Sequence, residues 1–448
     1  MSVTPALKQF VQDVPAPVGR LLARIPPRVL PYLGRRYSRG KREIMAFEAL
    51  GLEAKEEFVF ARVRNVVAHA FKQVPFYERH YAEAGFQLED LKSFKDISRI
   101  PIVTKEDLRE ADLEDRSAAE RGRYVENTGG SSGSPLSFYV SPLQIPIEWA
   151  HMHSVWEMLG YRPSDSKLVF GGRNLGGSAL LYDGLRNSYV LSVYTGIDSA
   201  RDGLIRILRR RSIRYLHGYP SAMYQFTQYC EDSDPDLLRL LRESLVGALL
   251  GSEFPAPLYR ERIERVFRIP SVSWYGHTER AILAREKTRP FLYEPFQTYG
   301  LCEVVDNPAT GGGRLIGTSY LNKASPFIRY DTGDDVEKVE SQGGLLKSFS
   351  IRDGRRGEFV EDRNHVRIPL TGLIFGRHHS GFAMANFVQV RQHHPGQMTL
   401  LITPRKRVAP GVNLSDWFDM TGIAMRVDYE ILDSPVISPS GKVMLKVE

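Results

Sequence analysis

The sequence predicts an α/β fold: a large N-terminal domain of helix-wrapped sheet followed by a small α+β C-terminal lobe. Three observations predict it. Between residues 167 and 335, short apolar strand-like runs alternate with helix-like runs, the pattern of a parallel sheet wrapped by helices. After Asp334-Asp335 the texture changes. Glycines at 343, 344, 354 and 357 bracket a charged stretch over 352–367, and a short apolar α+β region follows. Finally, 448 residues exceed one ordinary core, so two or three domains are expected. The expected divisions are a basic N-terminal arm over 1–55, a large domain over 56–352 and the lobe over 353–448.

The arm comes first. Residues 1–42 hold nine Lys and Arg against Asp13 alone, a net +8 that exceeds the +7 of the whole chain, so the remainder is near neutral. Interleaved Leu21, Leu22, Ile25, Val29, Leu30 and Leu33 give it two candidate settings. One is peripheral contact with an anionic membrane surface. The other, commoner for such a charge run, is loose packing on the protein's own body. The near-neutral body speaks against nucleic acid as a partner. At 42% hydrophobic and 25% charged, the composition is that of a soluble globular chain, and no apolar run reaches transmembrane length. The first twelve residues lack the apolar stretch and cleavage site of a secretory signal. Two cysteines, Cys230 and Cys302, have no paired spacing, which fits a reducing compartment and argues against a zinc module. The expected location is cytoplasmic, with the inner membrane face as the place to which the arm would lead.

Residues 56–83 read as helix, with Phe60, Val63, Val67, Ala70 and Phe71 on one face and a break at Pro75. Thr104, with an acid at the capping-box position, starts another helix. A further helix is expected over 142–159, then strands over 168–170 and 188–194 and a helix over 200–211. A strand over 214–220 ends in a turn, and helices over 221–230 and 236–243 follow. The continuous apolar run at 245–251 reads as a buried strand, 257–267 as a helix and 271–275 as a strand. Ligands of such sheets bind at the loops that follow the strands.

The densest chemical signal is Thr128-Gly129-Gly130-Ser131-Ser132-Gly133-Ser134-Pro135, which runs into the alternating segment 136–140. Glycines let backbone N–H groups converge on an anion and the hydroxyls add short donors, so the loop is suited to phosphate; a solvated linker or hairpin turn is the plainer reading. It has neither the Gly-Lys-Ser/Thr ending of a P-loop nor the G-x-G-x-x-G opening. Four further segments fall at strand ends or turns: Gly251-Ser252-Glu253, Trp274-Tyr275-Gly276-His277-Thr278-Glu279, Arg329-Tyr330-Asp331-Thr332-Gly333-Asp334, and Ser440-Gly441-Lys442. His151 and His153 project to opposite sides of a helix, which makes a metal site there improbable.

Together the five segments resemble the adenylate-forming superfamily of acyl-CoA synthetases, luciferases and adenylation domains. The stretches Val74-Pro75-Phe76-Tyr77 and Ile100-Pro101-Ile102-Val103-Thr104-Lys105 are similar to its phenylacetate–CoA ligase branch, and residues 387–392 with the short lobe resemble the CapK-like members. The resemblance implies a small, mobile C-terminal lobe and an enzyme that joins ATP and a carboxylic acid into an acyl-adenylate with release of pyrophosphate. It implies ATP and Mg²⁺ as cofactors, with CoA as one candidate acceptor and an amine or hydroxyl on a saccharide as another. By the same resemblance, residues 128–134, Gly251, Ser252, Glu253, Tyr275, Gly276 and His277 would hold the nucleotide. Thr278 would donate to the α-phosphate and Glu279 would hold Mg²⁺. Asp334 would accept from the ribose hydroxyls, Arg355 would serve at the hinge, and Lys442 would bridge substrate carboxylate and α-phosphate. Three departures stand out. Leu136 replaces a common Lys or Arg, Glu358 lies near a usual Asp, and the glycine-rich segment that helps bind CoA is not recognisable in 364–372. The rival of another class is a non-catalytic nucleotide-binding scaffold on the same fold.

Overall fold

A computed structural model describes residues 13–30, 33–128, 136–173, 175–193, 195–210, 213–307, 312–351, 359–370, 373–374, 377, 379–404, 408–409, 412–436 and 445–447. The N-terminal segment carries α1 (Ala16–Leu22), α2 (Gly34–Glu48), α3 (Leu52–Gln73), α4 (Pro75–Glu83) and α5 (Lys105–Glu110). Proline sits at the start of α4, where a missing N–H costs nothing, so the break expected at Pro75 is a junction between two helices. Thr104 Oγ1 accepts from Asp107 N at 3.1 Å and Thr104 N donates to the Asp107 carboxylate at 2.7 Å, the reciprocal cap of α5.

A hairpin of β1 (Tyr124–Asn127) and β2 (Ser137–Val140) leads into α6 (Ile145–Trp156). Then come β3 (Lys167–Gly171), β4 (Leu180–Asp183), β5 (Ser188–Ser192), α7 (Asp198–Leu208), β6 (Tyr215–Gly218), α8 (Pro220–Asp232), α9 (Pro235–Ser244), β7 (Gly247–Leu250), α10 (Pro257–Phe267) and β8 (Ser271–Gly276). Past β8 come the strands β9 (Leu283–Glu286), β10 (Tyr293–Pro295), β11 (Gly300–Asn307), β12 (Gly312–Ser319), β13 (Tyr330–Gln342) and β14 (Leu345–Ile351).

Strands β3 to β14 form one sheet in the order β11-β12-β13-β14-β10-β9-β8-β7-β6-β3-β5-β4. Its half from β5 to β8 is parallel, as the strand–helix alternation predicts. The half from β8 to β11 is antiparallel, where the alternation was expected to continue to 335. The connections there are too short for a helical crossover. Gly343-Gly344 alone joins β13 to β14, with Gly343 at φ +59°.

Two large cores result. One packs the parallel strands against α7 to α10 and continues into Val360, Ile368, Val388 and Val390 of the C-terminal segment. The other gathers α3, α4, β2 and the antiparallel strands. The C-terminal segment holds a hairpin of β15 (Phe359–Glu361) and β16 (Arg367–Pro369). Beyond it lies a four-stranded sheet of β17 (Ala385–His394), β18 (Gln397–Pro404), β19 (Arg426–Ile431) and β20 (Lys446–Val447) in the order β19-β18-β17-β20. The expected boundary near 353 falls in residues 352–358, outside the described residues.

From residue 33 on, the arm is not loosely packed. Gly40 lies so close to α6 that a Cβ would meet Ala150 Cβ at 2.9 Å, Tyr37 Oη donates to His153 Nδ1 at 2.9 Å, and Lys41 donates to Ser154 Oγ at 2.8 Å. None of the helices is long and apolar enough to cross a membrane, among the described residues.

Candidate active site

Strands β7 and β8 are parallel neighbours, Leu250 opposite Ser273, so the turns that follow them open at one edge of the sheet. After β7, a Cβ on Gly251 would lie 2.1 Å from the Trp274 ring, so only glycine lets Trp274 cross the strand end. Trp274 in turn stacks on His217 at 5.9 Å. Glu253 is buried and accepts from Ser221 N at 3.2 Å and Ser221 Oγ at 2.6 Å, which fixes the turn to the first turn of α8.

After β8, Ile282 N donates to His277 Nε2 at 3.2 Å, which leaves the His277 proton on Nδ1 to donate to Glu279 Oε2 at 3.1 Å. Tyr330, the first residue of β13, donates its hydroxyl to Glu279 Oε1 at 3.0 Å. Burial alone would raise the Glu279 pKa; the hydrogen bond from His277 and the Lys105 charge work against it and hold the carboxyl below the ordinary carboxylate range. Glu279 is therefore a buried, ionised, oriented carboxylate. Thr278 stands half-buried beside it and its carbonyl accepts from Arg280 at 3.1 Å. Gly276 is exposed at the strand end.

The Tyr275 ring lies 6.1 Å from the His277 ring. It packs edge-on to Phe349 at 5.5 Å, and the Tyr275 hydroxyl donates to Asp334 Oδ2 at 2.6 Å. Asp334 is held besides by its own N–H on Thr332 Oγ1 at 3.3 Å, within a turn where Gly333 takes φ +74°. The structure thus brings Tyr275, His277, Thr278, Glu279 and Asp334 together around β8 and the start of β13.

Thr128 closes the hairpin. Its N–H donates to Leu136 O and its Oγ1 accepts from Leu136 N, both at 2.9 Å. Gly129, Gly130, Ser131, Ser132, Gly133 and Ser134, like Arg355 and Lys442, lie outside the described residues.

One residue the motif search passed over ties these parts together. Arg280 forks onto Glu126 Oε2 at 2.6 Å and Oε1 at 3.4 Å, and donates through Nε to Glu148 Oε2 at 2.8 Å. It couples the β8 turn to β1, just before the loop, and to α6, just after it. Arg280 has φ +57°, Ser252 +69° and Arg329 +42°, so each of the three motif turns carries a non-glycine residue in the left-handed region. Tyr330 as the partner of Glu279 was likewise not foreseen as such. Outside this edge, Arg173 pairs with Asp183 at 3.3 Å. His151 and His153 are buried in the core, where His151 Nδ1 donates to Ile147 O at 2.8 Å.

Glu279 suits a magnesium ion in one respect: it is an ionised carboxylate, the hard oxygen ligand that Mg²⁺ takes. Mg²⁺ takes one or two carboxylates with substrate phosphates and water completing the octahedron. No cluster of three or more acidic, His or Cys side chains could hold a metal by itself, among the described residues.

No family model matches the chain. Among curated proteins, phenylacetate–coenzyme A ligase of Escherichia coli K12 is 27% identical over 320 residues, 67% of this chain and 70% of that protein. Protein CapK of Staphylococcus aureus is 23% identical over 291 residues, 60% of this chain and 60% of that protein. The chain is thus similar to proteins of the phenylacetate–CoA ligase branch of the adenylate-forming superfamily. The phenylacetate–coenzyme A ligase of Thermus thermophilus is 26% identical over 61% of this chain and 63% of that protein. The match thus spans about 60 to 70% of the length of these relatives. The fold agrees: a crystal structure of 2-hydroxyisobutyryl-CoA ligase with 2-HIB-AMP and CoA has a TM-score of 0.56 at 18% identity, over 89% of this chain and 90% of that one. The same enzyme in its postadenylation state has a TM-score of 0.55 over 95% of both chains.

Proposed function

We propose that this chain is an ATP-dependent, AMP-forming ligase that activates a carboxylic acid as its acyl-adenylate and passes the acyl group to an acceptor. The observation that carries the reading is the buried Glu279 carboxylate, ionised and aimed by His277 and Tyr330, beside Thr278 and close to an Asp334 anchored by Tyr275. The acid's oxygen attacks the α-phosphorus, the bond to pyrophosphate breaks, and the negative charge that gathers on the phosphoryl oxygens needs donors placed beforehand. Thr278 donates there, the 128–134 loop holds the departing phosphates through backbone N–H groups, and Asp334 accepts from the ribose. Glu279 would hold Mg²⁺, which when bound would supply charge neutralisation at the phosphates. Lys442 brings a cation to the acid and α-phosphate from the C-terminal lobe.

For the acceptor, we favour an amine or hydroxyl on a surface saccharide. Similarity to CapK and the absence of a recognisable glycine-rich segment over 364–372 support it. A second reading, CoA thioester formation, is supported by the name shared by two of the relatives above, phenylacetate–coenzyme A ligase. Purified protein incubated with ATP, Mg²⁺, labelled pyrophosphate and a panel of acids tests the first half: one acid should drive label into ATP. ATP binding by calorimetry without exchange or AMP from any acid would leave the scaffold reading standing. Addition of CoA to the active acid then separates the acceptors, since an acyl-CoA product overturns the saccharide assignment.

A further inference from the structure

A second site lies away from the strand-end turns. A cavity of about 340 Å³ opens between α2, α3, the approach to α6 and the turn after β12, and it shares no residue with the active site. Its volume is within the range of small-molecule pockets. Arg36 and Arg39 line it from one face of α2, Arg62 from α3 and Lys323 from the turn. Gly40 makes this wall possible by letting α2 settle against α6.

The charges there are unevenly satisfied. Glu43 is taken by Arg62 at 2.6 Å, whereas Arg36, Arg39 and Lys323 enter no ion pair among the described residues. Two polar atoms of lining residues, Glu120 Oε2 and the Tyr320 hydroxyl, are buried with no hydrogen-bond partner, although Glu120 Oε1 accepts from Ser141. A buried polar atom left unpaired costs about 1–3 kcal/mol, so such pairs of orphans mark a place for a partner. A bare anion would answer the three cations and be repelled by Glu120. A bare cation would answer Glu120 and meet Arg36, Arg39 and Lys323. A ligand with an acid group at one end and hydroxyl donors at the other answers both.

We propose that this cavity binds a phosphorylated polyol, its phosphate on Arg36, Arg39 and Lys323 and a hydroxyl donating to Glu120 Oε2. A free sugar phosphate and the glycerol headgroup of an anionic phospholipid share that chemistry. Arginine forks favour phosphate oxygens, and the Tyr320 hydroxyl can donate to a ring or ester oxygen. The site is independent of the adenylation reading.

Calorimetry on the full-length protein with glucose 6-phosphate, inorganic phosphate and glucose tests it, beside sedimentation with phosphatidylglycerol and phosphatidylserine vesicles. The vesicles match in charge but differ in the diol. Glucose 6-phosphate should bind about tenfold more tightly than phosphate or glucose, and Arg36→Ala/Arg39→Ala should remove about tenfold of that affinity. Glu120→Gln should erase the margin over phosphate, with phosphate itself binding at least as tightly once the repelling charge is gone. A preference for phosphatidylglycerol that Tyr320→Phe and Glu120→Gln weaken would assign the headgroup as the source. Pyrophosphate exchange by Arg36→Ala/Arg39→Ala should match the parent. The proposal is overturned if neither probe binds at millimolar concentration, if both vesicles sediment the protein equally without sugar phosphate binding, or if phosphate binds as tightly as glucose 6-phosphate.

Discussion

The Tyr275 hydroxyl donates to Asp334 Oδ2 at 2.6 Å and so fastens the end of β8 to β13 across the intervening strands β9, β10 and β14. One carboxylate oxygen is thereby fixed, which sets the orientation in which Asp334 would meet a ribose. Tyr275→Phe removes a hydrogen bond to a charged group, worth about 1.5–3 kcal/mol. We expect a loss of that size in urea unfolding, with the ATP KM of exchange rising about tenfold and kcat changing little. A KM unchanged in a variant destabilised by that amount would contradict a role for Asp334 in nucleotide binding.

Arg280 holds the β8 turn, β1 and α6 as one unit through Glu126 and Glu148. Its removal leaves two carboxylates without their counter-charge in a largely buried setting, a change that costs about 3 kcal/mol. Arg280→Ala should therefore unfold at lower urea and lose exchange. Arg280→Lys, which keeps the charge and loses the fork, should recover part of the stability and less of the activity. Equal behaviour of the two variants would count against the fork.

Gly251 and Trp274 form a steric pair, since a Cβ would come within 2.1 Å of the indole. Gly251→Ala should abolish exchange and lower stability. Shrinking the ring in Gly251→Ala/Trp274→Leu should restore stability toward that of Trp274→Leu alone, and thermal unfolding of the four proteins gives the coupling.

Glu279→Gln keeps the shape and removes the charge. We expect at least about a hundredfold loss in kcat of exchange and a shift of the Mg²⁺ titration to higher concentration. Full activity at the parental Mg²⁺ dependence would remove Glu279 from the metal role.

Stability should depend on buried histidines. Burial, with nearby cations, drives His151 down to about 4 and His153 and His217 to about 3, against 6.5 for an exposed imidazole. Below pH 6.5 the unfolded chain takes up protons that the folded chain refuses, so stability falls as pH drops from 6.5 toward 4. His153→Gln, which can still accept from Tyr37, should reduce that slope by about 1.4 kcal/mol per pH unit, measured by urea unfolding between pH 6 and pH 4.5.

The parallel half of the sheet was legible because its strands are short apolar runs, such as 247–250, bounded by helices that begin at proline. The antiparallel half was hidden. In β13 every residue past Val336 is exposed and half of them are charged, which reads as loop, and the pairing that makes them strand lies in other segments. Single site residues were legible where motifs are local, as in 275–279. The clamp was not: Arg280 meets partners 132 and 154 residues away, and neither Glu126 nor Glu148 stands in a pattern that points to it. The arm's charge was plain, yet its close packing rests on Gly40 facing Ala150, a fit that only the folded chain reveals.

The central claim is that a carboxylate oxygen of the substrate attacks the α-phosphorus of ATP. It is tested most directly by supplying the active acid with both carboxylate oxygens as ¹⁸O, adding the acceptor, and weighing the AMP by mass spectrometry. One ¹⁸O in each AMP formed, with none in pyrophosphate and much slower formation in Lys442→Ala, is the predicted result. AMP free of ¹⁸O, or carrying oxygen drawn from labelled water instead, would contradict it.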